Sequence, residues 1–236
     1  MSHYNAETDN AGFQKQMWLI ETLGRTGITV FDVGGNIGQS IEKYQQIFPD
    51  CTVYSFEPHP DTFTTLQERH GAQDGVHCRQ IALGSNPGTA SFYATNCAEA
   101  SSLLPPEEFV RERSVKRNYD YALLEVAVDT LDNVAERLEV STIDILKIDV
   151  QGAELDVLRG AESYLRGHKI NIIYPEVLFA ENYSGQSDLN EIWTYLKQYG
   201  YVLWDLYPFL HTSLGRLWTG NAIFVSPIVL QTLDPR

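Results

Sequence analysis

The sequence is poor in positively charged residues. Its 236 residues include 17 Lys and Arg against 31 Asp and Glu, which gives a formal net charge of −14 at pH 7. Proteins that grip a nucleic-acid backbone need a positive surface to neutralise the phosphates. We therefore expect no nucleic-acid partner for this chain.

Cysteines and long apolar runs are also scarce. The three cysteines, Cys51, Cys78 and Cys97, form no C-x-x-C pair and no even disulfide framework. No apolar run approaches the length of a membrane span, and the opening MSHYNAETDN lacks the apolar core of a signal peptide. We expect a cytoplasmic protein with reduced thiols and no membrane partner.

Two kinds of apolar segment alternate along most of the chain, and they predict strands and helices in turn. Continuous or alternating apolar runs predict strands at residues 28–33, 51–57, 76–83, 88–95, 124–131, 143–150, 170–179, 201–209 and 221–229. Helical spacing predicts helices at residues 12–25, 38–48, 60–71, 131–139, 153–167 and 187–200. This order predicts an α/β fold with a doubly wound, mainly parallel sheet. The last two strands, with no helix between them, predict an antiparallel pair at one edge.

The chain divides into two parts by pattern. Residues 1–27 form a predicted N-terminal helical extension, and residues 28–236 form the main domain. Within that domain the apolar pattern is lost over residues 96–124. The short strand before this segment, at 88–95, is predicted to pair back after the turn SNPG. Long irregular segments in compact domains are often lids or binding loops, with disorder as the alternative. We expect residues 96–124 to be a loop on the substrate side of the site.

The stretch VFDVGGNIGQS, residues 30–40, is a glycine-rich turn between a strand and a helix. Its spacing fails the G-x-G-x-x-G fingerprint of dinucleotide sites and the G-x-x-x-x-G-K-[ST] phosphate loop. It reads D-x-G-x-N-x-G instead, with Asp32 before the glycines. A carboxylate there would repel a pyrophosphate but suits S-adenosylmethionine, which carries an amino group and a cationic sulfonium. A tight turn without a ligand is the alternative.

Other candidate residues follow neighbouring strands, where ligands bind in doubly wound sheets. Glu57 ends the second strand and can accept hydrogen bonds from both ribose hydroxyls of an adenosine; a cap for the next helix is the alternative. Ala82 and Leu83, in IALGS, could line an adenine pocket or form an ordinary turn.

The stretch LKIDVQGAE, residues 146–154, places several polar residues after another strand. Asp149 follows an apolar run, so its side chain must face the cleft or find a buried partner. Gln151 turns the chain, and Glu154 lies in the first turn of a helix, where the dipole stabilises a carboxylate. Glu176, in YPEVLF, belongs to the neighbouring strand. Asp149 is the best-placed residue to meet a substrate hydroxyl or the amino acid part of the cofactor.

Taken together, FDVGGNIG, SFEP, VDTLD, LKIDVQGAE and PEVLF, in this order and spacing, resemble the FkbM family of S-adenosylmethionine-dependent methyltransferases. The resemblance runs from about residue 28 to about residue 180. It implies the seven-stranded, Rossmann-like class I methyltransferase sheet, which the last helix and strand pair also match. The family commonly has an acid where this chain has Gln151, and this difference puts a metal or base role there in doubt.

The resemblance also implies roles for individual residues. Asp32, Gly34, Asn36 and Gly38 would bind the methionine part of the cofactor, Glu57 the ribose, and Asp149 would lie near the reacting methyl group. The SSL at 101–103 resembles a polar element of the family's substrate-side loop. The candidate cofactor-binding residues are therefore Asp32, Gly34, Gly35, Asn36, Gly38, Glu57, Ala82, Leu83, Asp149 and Val150. The candidate substrate-side residues are Ser101, Ser102, Gln151, Glu154 and Glu176.

The predicted reaction is methyl transfer from S-adenosylmethionine, with S-adenosylhomocysteine as product, to a hydroxyl of a sugar or natural-product small molecule. A hydroxyl is a poor nucleophile, so we assign Asp149 as its general base. Glu176, His59 and His77 are less favoured. No metal is required by this scheme, although the acidic residues make Mg²⁺ conceivable.

Two other function classes remain open. One is an oxidoreductase that binds a nicotinamide dinucleotide, and the other is a catalytically inactive binding module on the same fold. The sequence leaves the oligomeric state open, with a homodimer among the alternatives. A run of basic residues could bind an anionic acceptor or form a solvated face: Arg111, Arg113, Lys116 and Arg117. Several aromatic residues could stack on an acceptor or pack in the core: Tyr119, Tyr121, Trp204, Tyr207 and Trp218.

Overall fold

Strands and helices alternate along the chain much as the apolar pattern predicts. The computed structural model of the protein describes residues 6–107, 120–212 and 215–235. Within these ranges the strands are β1 Thr29–Val33, β2 Thr52–Phe56, β3 Val76–Arg79, β4 Ala82–Leu83, β5 Gly88–Thr95, β6 Tyr121–Asp129, β7 Ile143–Ile148, β8 Ile170–Leu178, β9 Val202–His211 and β10 Leu217–Val225. The helices are α1 Ala6–Thr22, α2 Gln39–Ile47, α3 Pro60–His70, α4 Leu131–Arg137, α5 Glu154–Arg159, α6 Glu162–Arg166, α7 Leu189–Lys197 and α8 Pro227–Leu233, with a 3₁₀ turn at Ala98–Ala100.

Seven strands form the central sheet, in the order β3-β2-β1-β7-β8-β10-β9. The pairs from β3 to β8 are parallel, and β10 is antiparallel to both β8 and β9. The predicted doubly wound sheet with its antiparallel terminal pair is therefore confirmed. Strand order reverses between β1 and β7, and ligands bind at such a switch point, beyond the carboxyl ends of the strands.

Both faces of the sheet are covered, because successive side chains in a strand point to opposite faces. Val30, Ile145 and Ile172 belong to the apolar cluster under α1, α2, α3 and α8. Their neighbours Phe31, Leu146 and Ile173 belong to the cluster under α4 to α7. The strands therefore read as continuous apolar runs, as in parallel sheets with helices on both sides.

A second, three-stranded sheet has the order β4-β6-β5 and corrects three predictions. The predicted strand 76–83 is wrong as one element, because the chain bends where Ile81 N donates to Arg79 O, and β4 then pairs with β6. The β5 strand pairs with β6 as well, and not with the strand before it. Residues 121–124 belong to β6, so the predicted irregular segment 96–124 is too long at its end. Its residues 108–119 lie outside the described ranges.

The two terminal elements also differ from the predicted boundaries. Helix α1 ends at Thr22 because Gly24 adopts a left-handed φ of 63°, and it begins earlier than predicted. Residues 227–229 are helical rather than extended, because Ser226 caps α8 by accepting a hydrogen bond from Val229 N and Pro227 occupies its first position. Both signals were present in the sequence and were overlooked.

None of the helices within the described ranges has both the length and the apolar composition that crossing a membrane requires.

A buried carboxylate ties the start of the sheet to its neighbours. Asp144, on β7, accepts hydrogen bonds from Thr29 N at 2.9 Å and Asn171 Nδ2 at 2.9 Å, and pairs with Arg25 Nε at 2.7 Å. These contacts join the α1–β1 loop, β1 and β8 around one side chain. They compensate the cost of burying its charge.

We expect Asp144→Ala to lower the free energy of unfolding by about 3 kcal/mol, because three donors lose a charged acceptor. Urea denaturation followed by circular dichroism measures the change. Asp156→Ala is the control, since Asp156 pairs with Arg159 on an exposed helix surface, where such pairs contribute little. Equal losses in the two variants would contradict a structural role for Asp144.

Candidate functional site

A cavity of about 760 Å³ opens at the carboxyl ends of the central strands. Its size is in the usual range for small-molecule sites. Eight of the predicted cofactor-binding residues line it: Gly34, Gly35, Asn36, Glu57, Ala82, Leu83, Asp149 and Val150. Three of the predicted substrate-side residues line it too: Ser101, Gln151 and Glu176. Residues far apart in sequence therefore share one cleft, while their roles remain predictions.

The glycine turn packs so closely that side chains are excluded from it. Gly34 has a φ of +81°, and a Cβ there would lie 1.9 Å from Asp149 O. A Cβ on Gly35 would lie 1.9 Å from Ser55 Oγ. Gly38, whose backbone is also left-handed, is the N-cap residue of α2 and does not line the cavity. Packing alone explains these glycines, and the same bare backbone at residues 34 and 35 faces the cavity.

A row of polar side chains crosses four strands beneath this turn. Asp32 on β1 pairs in register with Ser55 on β2 and Lys147 on β7, and Lys147 pairs with Tyr174 on β8. Asp32 is fully buried, accepts a hydrogen bond from Ser55 Oγ at 3.1 Å, and does not line the cavity. The sequence placed this carboxylate at the mouth of the turn, whereas the structure places it below the turn. Its contact with a ligand stays a prediction.

Lys147 lines the cavity and is a charged residue of the site that the sequence reasoning missed. Its Nζ lies 3.4 Å from Asp32 Oδ1 and 3.4 Å from Asp149 Oδ2. Burial alone would lower the Lys147 pKa, but the Asp149 and Asp32 carboxylates outweigh burial and hold the pKa above its ordinary value. The signal was a lysine inside the apolar run DILKI, since a buried ammonium needs carboxylate partners.

Glu57 faces the cavity from the end of β2. Its two carboxylate oxygens accept hydrogen bonds from Asn36 N at 3.0 Å and His59 N at 2.8 Å. Burial raises the pKa of Glu57 to about 7, and the charges of Asp32 and Asp149 add to this, although the two N–H donors oppose it. Glu57 thus gains or loses its charge near neutral pH.

Asp149 has the most accessible carboxylate at the centre of the site, with 38% of its side chain exposed. Gln151 Nε2 donates to Asp149 Oδ1 at 3.0 Å and to Glu176 Oε2 at 2.6 Å. Thr219 donates to the other oxygen of Glu176 at 2.8 Å. Burial, with the charges of Asp149 and Glu154, raises the pKa of Glu176 well above its ordinary value. Glu176 therefore keeps its proton to higher pH than an exposed glutamate.

Two predicted substrate-side residues support the site from outside the cavity wall. Glu154 is buried, and its Oε1 accepts hydrogen bonds from Val150 N and Gly152 N, both at 3.1 Å. Ser102 donates to Gln151 O at 2.8 Å. Ser101, which does line the cavity, accepts a hydrogen bond from Thr95 N at 3.0 Å. Glu154 and Ser102 hold the 149–152 loop in place.

Other candidates have structural partners or fall outside the described chain. His59 caps α3, the His77 ring stacks on Tyr54 with its centroid 4.8 Å away, and neither residue lines the cavity. Among the predicted aromatic residues Trp218 lines the cavity, whereas Tyr121, Trp204 and Tyr207 do not. The basic run and Tyr119 lie outside the described ranges. Within the described ranges no group of three or more His, Cys, Asp or Glu side chains could hold a metal ion.

Several residues of the cavity wall had no readable signal. Phe13 comes from α1, Lys43 from α2, and Thr219 and Asn221 from β10. Phe13 reaches the wall because α1 packs on the sheet face that also carries Tyr174. Single polar or aromatic residues in a helix or an edge strand are too common to mark a site, so only the fold identifies them.

Residues 32–203 match the family of methyltransferase FkbM domains. Methyltransferase 1 of Beauveria bassiana is 34% identical over 145 residues, which cover 56% of this chain and 58% of that protein. The 2-O-methyltransferase NoeI of Sinorhizobium fredii is 27% identical over 181 residues, 74% of this chain and 73% of that one. The 31-O-demethyl-FK506 methyltransferase FkbM of Streptomyces tacrolimicus is 29% identical over 160 residues, 58% of this chain and 61% of that one. The chain thus spans less than two thirds of two of these relatives.

We expect Lys147→Met to lower the free energy of unfolding by about 3–5 kcal/mol, because it leaves the buried Asp32 carboxylate without its cation. Denaturant unfolding at pH 7.5 measures the loss. Adding Asp32→Asn should recover a large part of it, since the uncompensated charge is then gone. A double variant that loses the sum of the two single losses would contradict the pairing.

Proposed function

This chain belongs to the methyltransferase FkbM family, and from that premise we propose that it transfers a methyl group from S-adenosylmethionine to a hydroxyl of a sugar or natural-product small molecule. The observation that carries the proposal is the cavity itself, where bare glycine backbone meets the carboxylates of Glu57 and Asp149. Two relatives are O-methyltransferases by name, NoeI and the FK506 enzyme, which supports oxygen as the acceptor atom.

The cavity wall fits S-adenosylmethionine in shape and in charge. The bare backbone of Gly34 and Gly35 leaves room for a ligand to approach closely. Glu57 would accept hydrogen bonds from the ribose hydroxyls, and Ala82 and Leu83 offer an apolar wall for adenine. The carboxylates of Glu57 and Asp149 would favour a cationic ligand and disfavour the pyrophosphate of a nicotinamide dinucleotide.

When bound, S-adenosylmethionine supplies an electrophilic methyl group on a cationic sulfur. The protein supplies position and a base. Much of the acceleration in a displacement comes from holding the two reactants in line. Asp149, the exposed carboxylate at the switch point, would orient the acceptor hydroxyl and take the proton that it gives up. Lys147 and Gln151 hold this carboxylate in place from two sides.

The acceptor would enter over the part of the wall built by β8 and β10. Glu176, Thr219 and Asn221 lie there side by side, and Trp218 lies next to Thr219 along β10. These are hydroxyl, amide and carboxyl groups with one aromatic ring beside them. Such groups match a hydroxylated small molecule.

Titration calorimetry tests the cofactor. We expect S-adenosylmethionine and S-adenosylhomocysteine to bind and NAD not to bind. Glu57→Gln should weaken S-adenosylhomocysteine binding by about tenfold or more, because hydrogen bonds to a charged acceptor contribute about 1.5–3 kcal/mol. Wild-type affinity should rise with pH up to about 7 and then level off, since ribose hydroxyls favour ionised Glu57 and so lower its pKa in the complex.

In the Glu57→Gln variant this pH dependence should be lost. Glu68→Gln, an exposed position on α3, is the matched control and should behave as wild type. Binding of NAD in place of S-adenosylhomocysteine would overturn the proposed function. Binding without turnover on any hydroxylated acceptor would favour a binding module on the same fold.

The role of Asp149 is tested by Asp149→Asn in a screen of hydroxylated acceptors, with S-adenosylhomocysteine release as the readout. We expect kcat to fall by about 10²–10⁴-fold, the usual contribution of a general base. The affinity for S-adenosylhomocysteine should change little, because Lys147 keeps its pairing with Asp32. Asp74→Asn, an exposed change of the same kind, is the control. Full turnover in Asp149→Asn would remove the assignment of this base.

A further inference from the structure

The side-chain amide of Gln151 lies between two carboxylates. Its nitrogen is 3.0 Å from Asp149 Oδ1 and 2.6 Å from Glu176 Oε2. A primary amide nitrogen carries two hydrogens, so each carboxylate can receive one. The far oxygen of each acid is engaged as well, Asp149 Oδ2 by Lys147 and Glu176 Oε1 by Thr219.

The two carboxylates require the amide nitrogen on their side, so the amide oxygen faces Tyr183. Tyr183 Oη lies 3.0 Å from Gln151 Oε1 and 3.0 Å from Ala100 O, and its one hydrogen is shared between these two acceptors. The backbone of Gln151 has a φ of +55°, which is uncommon for a residue other than glycine, and Ser102 donates to its carbonyl. Strained backbone of this kind persists where the surroundings enforce it, often at functional sites.

Two carboxylates that face one another across a single donor resemble half of a cation site. Divalent cations such as Mg²⁺ and Mn²⁺ take carboxylate oxygens as ligands and often bridge two acids. Here a neutral amide occupies the middle. Burial and the nearby acids raise the Glu176 pKa, so Glu176 keeps its proton to higher pH and the repulsion between the two acids is reduced. The pair is thus stable without a metal ion.

We propose that Gln151 is a positioning residue for methyl transfer, whose amide nitrogen bridges Asp149 and Glu176 in the place that a divalent cation would take between two carboxylates. The proposal rests on the proposed function and deepens it. Gln151 aims the Asp149 carboxylate at the acceptor hydroxyl, and Glu176 is held beside it as part of the acceptor wall. The acceptor side is therefore assembled by hydrogen bonds instead of metal coordination.

The proposal predicts that a change at residue 151 creates a metal site. Gln151→Glu would place three carboxyl groups together, and Gln151→Met would leave two carboxylates facing an empty position. Electron paramagnetic resonance of added Mn²⁺, with full-length protein in excess, measures how much of the free-ion signal disappears. We expect wild type to leave the signal unchanged, Gln151→Glu to remove most of it because three carboxyl groups can then bind Mn²⁺, and Gln151→Met to remove less of it than Gln151→Glu.

Gln198→Glu is the control, since it makes the same change on an exposed surface at the end of α7 and should behave as wild type. S-adenosylhomocysteine titration of the same samples shows that each variant is folded and tests the proposed function separately. Mn²⁺ uptake by wild type that Glu176→Gln abolishes would overturn the proposal. So would a free Mn²⁺ signal in both position-151 variants while they still bind S-adenosylhomocysteine. Absence of S-adenosylhomocysteine binding in wild type, together with Mn²⁺ uptake by Gln151→Glu, would overturn the proposed function and support the bridging role.

Discussion

The ammonium group of Lys147 sits where the two central strands end, with the Asp32 carboxylate on one side and the Asp149 carboxylate on the other. The parallel register of β1 and β7 places Asp32 and Lys147 side by side on the same face. Removing Lys147 would leave the buried Asp32 carboxylate without its cation, which is costly in a low-dielectric interior. The glycine turn next to Asp32 and the 149–152 loop next to Lys147 therefore both depend on one electrostatic unit, the charges of Asp32, Lys147 and Asp149.

That unit also sets the character of the cavity. Two other carboxyl groups of the wall, Glu57 and Glu176, have pKa values raised by burial and by the neighbouring negative charges. Asp149 is left as the accessible carboxylate at the centre. These carboxyl groups suit a cationic ligand and a hydroxyl donor, the two partners of the proposed O-methyl transfer. It gives no support to a diphosphate.

The sheet edge completes the arrangement from the opposite side. Strand β10 runs antiparallel to β8, so its Asn221 lies in register with Glu176, and Thr219 reaches the same carboxylate. Helix α1 adds Phe13, whose ring packs edge-on against Tyr44 and Tyr174 and also forms part of the cavity wall. The proposed acceptor side is thus built by elements at the two ends of the chain, and the proposed cofactor side by the β1, β2 and β7 ends.

The sequence by itself determined the alternation of strands and helices, the glycine turn, and the acids at the carboxyl ends of β1, β2 and β7. These features are local: hydrophobic period, turn chemistry and strand-terminal polarity act over a few residues. Even the confirmed family resemblance rests on such short motifs in order. The helix α8 and the end of α1 were within reach of the same reasoning, since Ser226 and Gly24 mark them.

The tertiary structure alone decided which residues meet. Asp32 and Lys147 are 115 positions apart in sequence, and no local pattern tells that one neutralises the other and withdraws it from the cavity. The pairing of β4 and β5 with β6, the bridge from Gln151 to Glu176, and the arrival of Phe13 at the wall depend likewise on strand order and register. Which residue pairs with a buried charge depends on the distance between the two side chains in the folded protein, and sequence spacing carries little information about that distance.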